Sequence, residues 1–351
     1  MSSEKILMKG NEAVAEAAII AGCHHYFGYP ITPQNEVPAY MSRRLPKVGG
    51  TFLQAESEIA AINMVFGASA AGARVMTSSS SPGISLKQEG ISYLSGARLP
   101  AVVLNMMRGG PGLGNIAGSQ GDYFQGTRGG GNGDYRTIAL GPATVQELAD
   151  LAVKAFDLAD KYRVVVMILG DGFLGQMAEG VILPEPSTVK FDKPWALTGA
   201  KSRKANIVAS LRLNPENALE LLNNELQDIY KQIEENEVMS ESYMTDDADY
   251  LLVAYGTSSR VCRSALRALR KDGVKVGLFR PITLWPYPKK ELWKAAEGVK
   301  KVLTVEMSAG QMVEDVELSL KGSTDIDFYG KTAGLLPDID EIIRRVKSYG
   351  K

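Results

Sequence analysis

The 351-residue sequence contains only two cysteines and two histidines, and its net charge is −1. It also has no hydrophobic run approaching the ~18 residues that a membrane-spanning helix needs. Each shortage excludes something. Cys23 and Cys262 stand in separate halves and form no C-x-x-C pair, so the chain by itself offers no thiolate set for an iron–sulfur cluster or a zinc ribbon. Both read as buried small hydrophobes of a cytosolic protein. His24 and His25 come with no Ser/Asp or metal-ligand set, which makes them packing or capping residues at a strand start. Balanced charge gives no reason to expect nucleic acid or a membrane surface as partner. The opening stretch "MSSEKILMKGNEAVAEAAIIAGC" is interrupted by Glu12 and Glu16 and reads as an amphipathic helix, with Asn11 as N-cap and Gly22 as stop. With no signal and no span, a cytoplasmic protein is expected.

What is there is ordinary globular material, 45% hydrophobic and 23% charged, in a chain long enough for two domains. Residues 1–187 alternate strand-like runs ("HYFGY", "TFLQ", "RVMTSS", "AVVLNMM", "RTIAL", "RVVVMILG") with helical stretches, the pattern of a parallel sheet covered on both faces. Residues 188–246 begin with a proline-marked stretch and continue as a charged helical connector expected to lie on the surface. Alternation resumes over residues 247–351, giving a second, smaller sheet of about four strands. The fold class is therefore α/β, a doubly wound parallel sheet followed by a smaller α/β domain.

Several local patterns carry chemistry. "GLGNIA", residues 112–117, satisfies the dinucleotide fingerprint after a strand, but the glycine-rich residues that follow have no helical period and so offer no helix N-terminus to a pyrophosphate. A lid loop over an active site suits that composition better. "GDGFLGQ" begins like a thiamine-diphosphate signature at Asp171, whose Asn is due some 25 to 30 residues later, yet the only Asn in the stretch "WALTGAKSRKAN" where that spacing falls is Asn206, 35 residues on and outside any strand–helix context. Asp171 is read as a strand-end or turn carboxylate, and no metal-ligating residue is expected. Ser57 can cap a helix whose first turn carries Glu58, either as an acid favoured by the helix dipole or as a carboxyl placed in a dry interface. Arg108, at the end of a buried strand, can fork a carboxylate or make a rim salt bridge. Thr32, followed by Pro33, reads as a helix N-cap whose hydroxyl also faces the crevice at the strand mouth. Met106 and Met107 read as core.

Taken together, "GYPITP", "QAESEIAAINMVFGASAAGARVMTSSSSPGISLKQEGISYL", "RGGPGLGN", "LGQM" and "VEMSAGQM" resemble the alpha-type subunit of 2-oxoacid:ferredoxin oxidoreductases, most closely that of the 2-oxoisovalerate (branched-chain) enzymes. The resemblance implies a pyrimidine-binding thiamine diphosphate domain followed by a transketolase C-terminal-like domain. It implies that Glu58 activates the aminopyrimidine, that Thr32 touches substrate, and that Arg108 grips the 2-oxoacid carboxylate. Tyr29, Pro30 and Ser81 would join Glu58 in binding the cofactor. The missing metal signature fits the split members, in which a beta subunit binds the diphosphate and Mg²⁺, while gamma and ferredoxin-like delta subunits complete the enzyme. Iron–sulfur clusters sit in partner chains, and coenzyme A and ferredoxin complete the reaction. The 2-oxoglutarate enzyme is the runner-up. A nicotinamide-linked dehydrogenase built on "GLGNIA" and a non-catalytic scaffold subunit are the rivals from other classes.

Overall fold

The computed structural model describes residues 4–350. The chain opens with β1 (Ile6–Lys9) and α1 (Gly10–Ile20). It continues through β2 (His25–Gly28), α2 (Glu36–Arg44), β3 (Thr51–Gln54), α3 (Glu58–Ala70), β4 (Val75–Ser79), α4 (Ser81–Gly96) and β5 (Ala101–Met107). Next come α5 (Tyr123–Arg128), β6 (Ile138–Leu140), α6 (Val145–Tyr162), β7 (Val165–Asp171), α7 (Gly172–Gln176) and β8 (Ala178–Val181). The second half holds α8 (Ala218–Asn236), β9 (Ser240–Tyr243), β10 (Tyr250–Val253), α9 (Gly256–Lys271), β11 (Val276–Pro281), β12 (Thr283–Trp285) and α10 (Lys289–Ala295). It closes with β13 (Lys301–Glu306), α11 (Met312–Leu320), β14 (Asp325–Gly330) and α12 (Ile339–Ser348).

A seven-stranded sheet in the order β12-β6-β7-β5-β4-β2-β3 forms the first layer system, parallel except for β12. Every residue of β5 and β7 is buried, as expected of central parallel strands covered by helices on both faces. The chain runs from β2 outward to β3 and then back to β4 on the other side of β2. Strand order therefore reverses between β2 and β4, and their carboxyl ends flank a crevice, the position where open α/β sheets take ligands. The second sheet has five strands, β14-β13-β10-β11-β9, with β9 antiparallel.

Some sequence readings change. Asn11 lies inside the first turn of α1 and does not cap it; its amide instead donates to Pro33 O at 2.8 Å and Glu36 Oε2 at 2.9 Å. Gly22 does end the helix: its φ of +84° is left-handed, and Cys23 N returns to Ala18 O at 3.0 Å. The opening stretch also contains β1, paired antiparallel with β8. The connector helix α8 is not confined to the surface, since Leu222, Leu226, Tyr230 and Ile233 are buried in the first core. Its spacing gives an apolar stripe, and the stripe needed a surface to cover. Within the glycine-rich stretch, α5 forms despite the weak helical pattern because Tyr123 is a tertiary anchor: it is fully buried, and its hydroxyl donates to Asp315 at 2.7 Å. Both cysteines are buried and free, and burial pushes the Cys23 thiol up to about 12. Met106 and Met107 are core.

Candidate active site

Four chain segments meet at the crevice: the turn after β2, the first turn of α3, the first turn of α4 and the residue after β5. Ser57 caps α3, accepting from Ala60 N at 3.2 Å, and so begins the helix at Glu58. Glu58 is 6% exposed, and no hydrogen bond reaches its carboxylate from the described residues. A Cβ on Gly83 would fall 2.5 Å from Glu58 Oε1 and 2.1 Å from Ser79 Oγ. Glycine at this position lets α4 approach the carboxylate so closely. The hydroxyls of Thr77, Ser79 and Ser80, at the end of β4, are buried without a partner. Unsatisfied buried hydroxyls are uncommon, and three in one run mark a polar wall.

Arg108, just past β5, is buried, with 8% of the residue exposed. Nη1 donates to Thr32 O at 2.9 Å, while Nε is buried and unpaired. Among the described residues it makes no ion pair. Its backbone N donates to Ser81 Oγ at 3.0 Å, and that hydroxyl donates to Asp122 Oδ2 at 2.6 Å. Thr32, Arg108 and Ser81 are thus joined, through Thr32's carbonyl and Arg108's backbone. Thr32 is exposed and does not cap a helix: α2 begins at Glu36 with Asn35 in the cap position, and Asn35 Nδ2 donates to Thr32 Oγ1 at 3.3 Å. A turn over residues 32–33 intervenes, so Pro33 never reaches a helical N1 position. Tyr29 and Pro30 are exposed at the mouth of β2.

Sequence reasoning missed the residues that hold this arrangement. Asp122 accepts from Ser81 and from Asn105 Nδ2 at 2.9 Å, and burial pushes its carboxyl upward. Asn11 and Gln176 both donate to Pro33 O, clamping the Thr32 turn from behind, which explains the Gln of "LGQM". No local spacing announces such partners; in Asp122 the one signal is a lone acid in a glycine-rich loop after an Arg. Asp171 is a strand-end carboxylate as read: it caps α7 and accepts from Thr257 Oγ1 at 2.6 Å. The "GLGNIA" tip is exposed at Leu113 and Ile116 and opens no helix. The loop is no free lid, however, because Asn115 Nδ2 donates to Ala333 O and Gln120 N to Met307 O.

A doubly wound sheet with a polar, carboxylate-bearing crevice at its strand-order reversal, followed by a smaller α/β unit, defines an α/β protein that takes its ligand at the carboxyl ends of its strands. The chain belongs to the 2-oxoacid:ferredoxin oxidoreductase family: residues 16–246 match the family described as "Pyruvate flavodoxin/ferredoxin oxidoreductase, thiamine diP-bdg", and residues 248–342 match "Pyruvate:ferredoxin oxidoreductase core domain II". It is 52% identical to the ketoisovalerate oxidoreductase subunit VorB of Methanothermobacter marburgensis, over 97% of each chain. It is 38% identical to the 2-oxoglutarate synthase subunit KorA of Methanocaldococcus jannaschii, over 97% of this chain and 98% of that one. The solved 2-oxoglutarate:ferredoxin oxidoreductase from Magnetococcus marinus, with 2-oxoglutarate, coenzyme A and succinyl-CoA bound, superposes with a TM-score of 0.90 at 29% identity. That match covers 99% of this chain and 66% of that one. A split-gene transketolase in an inactive β4 tetramer shares the fold, with a TM-score of 0.58 at 12% identity, over 97% of this chain and 98% of that one.

Proposed function

We propose that this chain supplies the pyrimidine side of a thiamine diphosphate site in an enzyme that converts a branched-chain 2-oxoacid, 2-oxoisovalerate, with coenzyme A to acyl-CoA and carbon dioxide. Two electrons pass singly to ferredoxin. Identity of 52% to a ketoisovalerate subunit against 38% to a 2-oxoglutarate subunit supports the substrate. The observation that carries the reading is Arg108: a buried guanidinium without an anionic partner from the described residues, its Nε unpaired.

The residues fit the cofactor. Glu58 presents a buried carboxylate with no donor among the described residues, beside orphaned serine hydroxyls and a glycine at which an added Cβ would fill the space. Glu58 would face a ring nitrogen, with Tyr29, Pro30 and Ser81 lining the rest. When bound, thiamine diphosphate supplies a nucleophilic carbon and an electron sink. Glu58 would share a proton between its carboxylate and that ring nitrogen. Arg108, braced at Nη1 by Thr32 O, keeps Nε and Nη2 for two parallel bonds to the substrate carboxylate. Thr32's hydroxyl, on the exposed side of the same turn, contacts the substrate. Orientation of this kind contributes roughly 7 kcal/mol in favourable cases.

The same reading divides the chain at residues 187 and 247 and places it in the cytoplasm; no helix of the described residues is long and apolar enough to cross a membrane. It assigns the diphosphate and Mg²⁺ to a beta subunit and the iron–sulfur clusters to ferredoxin-like partner chains, with a gamma subunit completing the complex. Cys23 and Cys262, buried in different cores, suit that division. The test is co-expression with the partner subunits and coenzyme A-dependent viologen reduction. Preference for 2-oxoisovalerate over 2-oxoglutarate and pyruvate is expected, and a preference for 2-oxoglutarate would overturn the substrate assignment.

A further inference from the structure

Lysine is almost never fully buried unless it is paired. Lys87 of α4 is nonetheless 0% exposed, and its ammonium makes one hydrogen bond, a long one of 3.4 Å to the backbone oxygen of Glu58. No carboxylate of the described residues lies within ion-pair distance of it. The register explains the placement. Gly83 and Lys87 are one helical turn apart, and Gly90 follows on the same face. That face packs on α3, with Gly83 against the Glu58 carboxylate and Gly90 against Ile62. One face of α4 therefore meets both ends of Glu58, the carboxylate through Gly83 and the backbone through Lys87.

From this geometry we infer that Lys87 is a positioning residue for Glu58: its ammonium fixes the first turn of α3 and supplies the positive charge against which the Glu58 carboxylate sits. The inference rests on the proposed role of Glu58. Among the described residues no other charged group competes for the lysine. Glu58 is the sole charged residue of α3, and β5 has none. On β7, Asp171 is engaged with α7 and Thr257, and on α4 itself Glu89 is exposed and bonded to Tyr93. Burial pushes Lys87 down to about 8, with Glu58 opposing the change. The lysine is charged below that value and neutral above it, so its electrostatic help to Glu58 is present at neutral pH and lost as pH rises through about 8.

The experiment uses the complete complex with wild type, K87M, K87Q, K87R, E58Q and K87M/E58Q. It reads hydrogen–deuterium exchange at the thiazolium C2 of bound thiamine diphosphate, together with cofactor affinity. Methionine matches the lysine stem in length, so K87M is expected to fold and to melt no lower than wild type. At pH 7, K87M and K87Q are expected to slow exchange roughly tenfold, the equivalent of one pH unit, with cofactor affinity little changed. K87R should recover most of the rate, the wild-type advantage should close above pH ~8, and K87M should add nothing in the E58Q background. Slow exchange in E58Q with wild-type exchange in K87M and K87Q would overturn the role of Lys87 alone. Independent, multiplying effects of the two substitutions would do the same. Wild-type exchange in E58Q would instead remove the reading of Glu58 on which this one stands.

Discussion

Arg108 commits Nη1 to the Thr32 carbonyl and holds Nε buried without a partner. Leaving a charge unpaired in a dry site is costly unless an anion arrives, which is the physical case for a substrate carboxylate there. Truncating one member of such a pair costs about 2–5 kcal/mol, so R108M is expected to lower kcat/KM for the 2-oxoacid roughly 30-fold or more. R108K keeps the charge but loses the fork, and should fall between the two. An unchanged kcat/KM in both variants would rule out this contact. At this scale the sequence was partly legible. Glu58 and Arg108 stood out through their motifs, and the structure sets both at the crevice. Asp122, Lys87 and Gln176 did not, because each acts on a residue 29 to 143 positions away.

The α3–α4 pair is where packing and chemistry separate cleanly. A Cβ at Gly90 would fall 2.4 Å from Ile62 Cγ2, two turns of α4 beyond Gly83 and the Glu58 carboxylate. G90A should therefore cost roughly 1–3 kcal/mol of stability through overpacking and leave cofactor affinity intact. G83A intrudes on Glu58 and Ser79, and should lose cofactor affinity and turnover; calorimetric titration against thermal melting distinguishes the two variants. Between α1 and α2, Arg44 forks Glu16 at 2.6 and 2.9 Å. Hydrogen bonds from Arg44 hold the Glu16 carboxyl below its ordinary value, outweighing the opposite effect of burial. A lowered carboxyl contributes stability above its unfolded value and loses it as pH falls through the folded one. R44M should thus be destabilised by about 1 kcal/mol at neutral pH, a gap that narrows in acid. Denaturant titrations at pH 7 and pH 3 would check it, and a constant gap would contradict the assignment. The helix stops and buried strands of this region were readable from glycine placement and apolar runs, whereas the caps at Asn11 and Thr32 were misread, because both side chains had tertiary or turn partners.

At the scale of the molecule, Gln120 joins the two sheets. It is fully buried, donates to Tyr255 O at 2.8 Å, and accepts from Ser258 Oγ at 2.7 Å and Met307 N at 2.9 Å. Arg280 of β11 adds a fork to Glu147 of α6 at 2.7 and 2.8 Å. β12, from the second half, completes the edge of the first sheet. Q120A would leave the buried Ser258 hydroxyl and Met307 amide unpaired, at about 1–3 kcal/mol each, and would leave the Tyr255 carbonyl with Ser259 N alone. The expected result is a single calorimetric transition in wild type that broadens or divides in Q120A. A merely shifted, equally sharp transition would show that the halves are coupled elsewhere. Because the residues flanking Gln120 also carry Arg108 and Asp122, this coupling reaches the crevice.

The amino-acid sequence alone determined the alternation of strands and helices and the buried central strands, because periodicity and local turn chemistry are properties of neighbouring residues. Tertiary structure alone decided that α8 covers a core, that the glycine-rich loop is tied to the second sheet, and that a lysine stands behind Glu58. Those outcomes depend on which distant surfaces meet and which buried polar groups find partners there, and no window of sequence contains that information.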